Sequence, residues 1–135
     1  MTYLVADVQS LVGQEVEIYR NLHKPHGTFS VRVAAGPNRG RVLAHVQHIE
    51  LKDVTFKVSA AGREKVRATR RKLVHAVVRG EVTAVEMAGD IPLADWLPVR
   101  YNPYETDTFI RQDTQTPIAQ AAKAIGVSGR VMVAK

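Results

Sequence analysis

Hydrophobic and polar positions alternate over much of this chain. In residues 15–23, Val16, Ile18 and Leu22 fall on one side, and Glu17, Tyr19, Asn21 and His23 on the other. That is the period of a half-buried strand. Pro25 and Gly27 punctuate the next segment. Residues 28–34 then alternate again, with Phe29, Val31 and Val33 inward and Thr28, Ser30 and Arg32 outward. The two runs predict a β-hairpin with one apolar face and one wet, polar face. The GPNRG string at 36–40 predicts a second turn. A long extended stretch follows over 41–59, with a bend near Lys52 and Asp53, where the alternation restarts at Val54, Phe56 and Val58.

At Ser59 the period changes. Residues 60–72 are rich in helix formers, Ser59 suits the N-cap, and a helix is expected over that span. Arg63, Arg67, Arg70 and Arg71 would share one face of it, while Val66 and Leu73 pack on another. Residues 73–87 read as strand with a bulge at Gly80. Gly89, Pro92 and Pro98 mark a loop over 88–98, followed by short extended pieces at 99–102 and 108–111. Residues 117–127 stay open: their alanines suit a helix with Pro117 in its first turn, yet the last ten residues read as a hairpin around Ser128 and Gly129. The expected fold is therefore α+β and β-rich, an antiparallel sheet or a small barrel with one main helix. With no linker, repeat or low-complexity segment, residues 1–135 read as a single domain.

Composition narrows the chemistry. Cysteine is absent, which removes disulfides, thiolate metal sites and cysteine nucleophiles, and is compatible with the cytosol. Neither a secretory leader nor an apolar run long enough to span a membrane is present, so a cytoplasmic protein with no membrane partner is expected. The net charge is +6. Residues 60–80 carry seven basic side chains (Arg63, Lys65, Arg67, Arg70, Arg71, Lys72 and Arg79) against Glu64 alone, so this stretch holds the whole excess. Such a concentration is either a solvated basic face or an attractor of phosphates or acidic proteins.

Phosphate-binding glycine loops, zinc-protease and EF-hand patterns and a nucleophile elbow are all missing, and no cofactor is expected. His23/His26 and His45/His48 are spaced i, i+3, which on a strand sends two rings to opposite faces. On a turn His23 and His26 could converge, but no acidic third ligand is near in sequence, so no metal is expected. Imidazole and guanidinium combine in two regions. One is the hairpin's polar face, with Asn21, His23 and Arg32; the other is the end of the basic segment, with Arg71, Lys72 and His75. Together these could hold a phosphate. Tyr101 and Tyr104, beside Arg100, offer rings for stacking on bases, or else a packed loop.

Several strings together resemble small uncharacterised proteins of bacteriophages and prophages: Asn21-Leu22-His23, Phe29-Ser30-Val31-Arg32, Gly40-Arg41-Val42 with Ala44-His45, Gly62-Arg63, Arg71-Lys72 with His75-Ala76, and Tyr101-Asn102-Pro103-Tyr104. The likeness covers about residues 15–120. The turn containing Pro25-His26-Gly27 and the tail after Lys123 fit the pattern poorly. The resemblance implies a phage accessory protein acting in a bacterial host cell, and no mechanism.

Three functions compete on this basis. The first is a module binding nucleic acid or a nucleotide through Asn21, His23, Arg32, Arg63, Arg67, Arg70, Arg71, Lys72, His75, Tyr101 and Tyr104. In the second the basic helix docks on an acidic host protein, as in inhibition of a defence complex. The third is a metal-independent phosphodiesterase or ribonuclease with His23 and His75 as acid and base. A binding role is favoured over an enzyme, and the oligomeric state is open.

Overall fold

A computed structural model describes residues 7–20, 28–86 and 91–135. Strands make up 52% of it, so sheet dominates over the one α-helix. The predicted hairpin is present as β1 (Glu15–Arg20) and β2 (Phe29–Val33), antiparallel, with Val16 opposite Val33 and Ile18 opposite Val31. The extended stretch over 41–59 is two strands, β3 (Val42–Val46) and β4 (His48–Val58). Helix α1 (Ala60–Thr69) and β5 (Ala76–Val85) come next. Then follow β6 (Trp96–Arg100), β7 (Phe109–Arg111), β8 (Thr116–Ile118), β9 (Gln120–Val127) and β10 (Arg130–Ala134). Residues 116–127 are therefore strand and not helix, and the hairpin around Ser128 and Gly129 is formed.

The ten strands of the described residues belong to one sheet in the order β3-β2-β1-β5-β4-β9-β10-β6-β7-β8, and each of their pairings is antiparallel. The barrel alternative does not hold, because the sheet is not closed. It is nevertheless strongly curled. Gln47 alone separates β3 from β4, while β2, β1 and β5 lie between them in the sheet. One residue spans at most ~3.6 Å, and four flat inter-strand steps at about 4.8 Å each would need far more. The chain makes that passage only if the sheet bends round. Phe29 of β2 accordingly lies fully buried against Gly126 of β9. The core fills the inside of this curl with Leu11, Val16, Ile18, Phe29, Val31, Ile49, Leu51, Val54 and Val82, all 2% exposed or less.

The bend near Lys52 and Asp53 is a bulge. Lys52 pairs with Glu81 and Thr55 with Arg79, so two residues of β4 face Gly80 alone, and Asp53 takes a φ of 52°. The irregularity expected at Gly80 thus sits in the facing strand. A Cβ at Gly80 would come 2.8 Å from the Lys52 carbonyl oxygen, so glycine leaves room for the bulge.

The helix begins as read: the Ser59 hydroxyl accepts the Gly62 N–H at 3.1 Å. It ends earlier than expected. Arg70 turns left-handed, at φ 57°, and its N–H closes on the Val66 carbonyl. Beyond Val66, the helix's buried residue, no large apolar side chain appears until Leu73, and in an added turn Arg70 and Arg71 would stand three and four residues from Arg67, where like charges repel. Arg70, Arg71 and Lys72 therefore leave the helix instead of extending the face of Arg63 and Arg67.

Candidate binding groove

The hairpin's polar face is not simply wet. Glu17 and Ser30 are each only 3% exposed. The Arg32 Nε donates to Glu17 at 2.9 Å, its guanidinium lies 5.3 Å from the Tyr19 ring centre, and the Ser30 hydroxyl meets His45 Nδ1 at 3.0 Å. The expectation of outward Glu17 and Ser30 fails because this part of the sheet is covered. Arg32 is committed to a buried carboxylate and lines none of the grooves described below. Asn21 and His23 lie outside the described residues.

The charge of residues 60–80 is divided among separate tasks. Arg63 Nε donates to the Pro103 carbonyl at 3.0 Å and ties α1 to the 101–104 loop. Arg67 approaches Glu64 at 3.8 Å, and Arg79 pairs with Glu15 at 2.8 Å, holding that carboxyl below its usual range through the hydrogen bond. Arg70, Arg71 and Lys72 are exposed and have no acidic partner among the described residues.

These three line a groove of about 390 Å³ with Arg20, His75, Tyr101 and Tyr104, floored by Val66, Leu73, Val74 and Pro103. The elements deliver them plainly. Arg20 ends β1, the cations follow the left-handed stop of α1, and His75 precedes β5. Helix and strand approach so closely here that a Cβ on Gly62 would fall 2.5 Å from the His75 Cβ.

His75 is half-buried. Its Nδ1 lies 2.8 Å from the Leu73 carbonyl oxygen, which can only accept, so Nδ1 carries the proton in the neutral ring. Nε2 then accepts from the Tyr101 hydroxyl at 2.8 Å. The rings of His75 and Tyr101 meet edge to face at 5.3 Å, and Tyr101 also packs on Phe109. Burial raises the Tyr101 phenol above its ordinary range, countered by Arg63 and assisted by Asp107. Tyr104 is 47% exposed, and the Arg70 guanidinium lies 5.2 Å from its ring centre. Its loop is built by Asn102, whose side chain accepts the Tyr104 N–H at 2.9 Å. Arg100 is paired with Glu105. This segment is thus a packed loop that leaves one ring available.

Of the residues singled out from the sequence, the groove gathers Arg70, Arg71, Lys72, His75, Tyr101 and Tyr104. Arg20 was missed. Its signal was its parity, because it shares the strand side of Val16 and Ile18, where a cation is out of place until the apolar floor reaches solvent.

A family model described as Mycobacterium phage L5 gene 82 protein matches residues 10–134. The chain belongs to this family. The gene 82 protein of Mycobacterium phage L5 itself is 37% identical over 113 residues, covering 78% of this chain and 84% of its own length. No solved structure matches. A phage-type accessory protein is what the gene 82 family supports. The matched span contains every groove-lining residue and extends through the tail that fitted the earlier resemblance poorly. No helix among the described residues is long and apolar enough to cross a membrane.

Proposed function

We propose that the protein binds a nucleic acid or nucleotide in the groove between the end of β1, the α1–β5 junction and the 101–104 loop. One observation carries the reading: Arg20, Arg70, Arg71 and Lys72 border an apolar and aromatic floor, and among the described residues no acidic side chain lines it. Cations neutralise phosphates, and rings such as Tyr104 stack on bases regardless of sequence. An acidic protein surface would satisfy the charges but would leave the aromatic floor without a planar partner.

The test is fluorescence anisotropy of a labelled single-stranded oligonucleotide across a salt series. Tight binding at low salt is expected, with log affinity falling linearly against log salt. Replacing Arg70, Arg71 and Lys72 by alanine should flatten that slope by about one unit per lost phosphate contact. Absence of binding at low salt, or an unchanged slope in the triple variant, overturns the assignment.

A further inference from the structure

The groove does not stop at Tyr101. On the far side of that ring lies a second compartment of about 380 Å³, bordered by Arg100, Gln112 and Arg130 and floored by Pro98, Val99 and Val131. It too has no acidic lining residue among the described residues. The compartments share Tyr19, Arg20, Ala76 and Tyr101, so they adjoin along a common wall. Tyr101 makes that wall rigid through its hydroxyl bond to His75 and its packing on Phe109. Arg20 stands at the boundary, exposed, with no acidic partner among the described residues. Arg130 is likewise exposed at the far end, with no acidic partner among the described residues, whereas Arg100 is engaged by Glu105.

We infer that this is a cleft for an unpaired strand of at least two nucleotides, with Arg20 contacting the phosphate that links them. The inference rests on the nucleic-acid reading above and adds the form of the ligand. Each compartment lies near the lower end of the range for small-ligand sites, roughly 300–1,000 Å³, and suits one nucleotide-sized unit. A phosphodiester crossing from one to the other passes the only residue with a guanidinium common to both. Cations then recur along the path, with Arg70, Arg71 and Lys72 at one end, Arg20 midway and Arg130 at the other. That is the arrangement of a backbone-tracking groove with aromatic contacts. A duplex keeps its bases paired inside and cannot present them to the floor of either compartment.

The probes are thymidine 3′,5′-bisphosphate, the dinucleotide pTpT, and an oligothymidylate as single strand or annealed to its complement. The bisphosphate carries more charge than pTpT but fills one compartment. pTpT should nevertheless bind about tenfold more tightly, since its second thymidine seats a base in the other compartment while the linking phosphate takes the place of the bisphosphate's 3′-phosphate. Arg20→Gln should weaken bisphosphate and pTpT alike, because both place a phosphate beside it, whereas Arg130→Gln should weaken pTpT alone. Both side chains are exposed, so the melting temperatures should stay within a few degrees of the parent. Equal affinity for bisphosphate and pTpT would overturn the two-compartment cleft while leaving a single-nucleotide site intact. Equal affinity for single strand and duplex would overturn the requirement for an unpaired strand. If no probe binds at low salt, the nucleic-acid reading fails and takes this inference with it.

Discussion

Tyr101 and Arg32 show how residue type and residue role part company. Arg32 was singled out as a charge open to a ligand, and Tyr101 as a ring for stacking on bases or for packing its loop. Arg32 instead balances a carboxylate that the sheet has buried, and Tyr101 is a strut whose hydroxyl fixes an imidazole. Alternation told which side of its strand Arg32 occupied. It could not tell that the polar side would be covered, because covering depends on other strands. The state of Tyr101 is testable. Burial holds its phenol above the ordinary tyrosine value, so the folded protein keeps this proton where the unfolded chain has lost it. The associated stability is fully present below pH about 10 and is lost as pH rises through the higher folded value. A phenolate absorbance titration should show one late tyrosine, and Tyr101→Phe should delete that phase. The variant should also lose about 1 kcal/mol with its hydroxyl bond to His75. A late phase that survives the substitution would assign it to another ring.

At the level of elements, beginnings were more legible than ends. Ser59 announces α1 through cap chemistry local to a few residues. Its end carries no glycine, and helix propensity ran on through Arg70, Arg71 and Lys72. Packing decided otherwise once Val66 had no large apolar successor within reach. The alanines of β9 show the same override: helix formers by preference, they serve as strand between β4 and β10. The left-handed Arg70 separates binding from stability. A non-glycine residue in that conformation costs roughly 1–2 kcal/mol, and its contact with the exposed Tyr104 ring returns only about 0.5–1 kcal/mol. Arg70→Gly should therefore leave the melting temperature equal or higher while weakening oligonucleotide binding severalfold. A clear fall in melting temperature would show that the arginine stabilises the helix end.

For the whole molecule, strand periods did not reveal strand order, because the periodicity of a strand says nothing about its neighbours. The curl was equally hidden until Gln47 was seen to join strands far apart in the sheet. Gly126 reports on that curl. A Cβ there would lie 2.9 Å from the ring of Phe29, which is fully buried and has nowhere to retreat. Gly126→Ala should cost about 1–3 kcal/mol. Adding Phe29→Leu should restore part of the loss, so that a double-mutant cycle gives a coupling between β2 and β9. Strictly additive effects would mean that the two strands do not press on each other.

The strand order also follows the chain, with β1–β5 forming one side of the sheet and β6–β10 the other, joined along β4 and β9. During translation the first five strands can pair as soon as they emerge, and the outer edge of β4 then waits, unpaired, until residues 120–127 have left the ribosome. The groove spans that same seam, taking its cations from the end of β1 and the α1–β5 junction and its tyrosine loop from the later half of the chain. The nascent chain is thus exposed to edge-to-edge association in that interval, and it completes the groove only when the seam has closed.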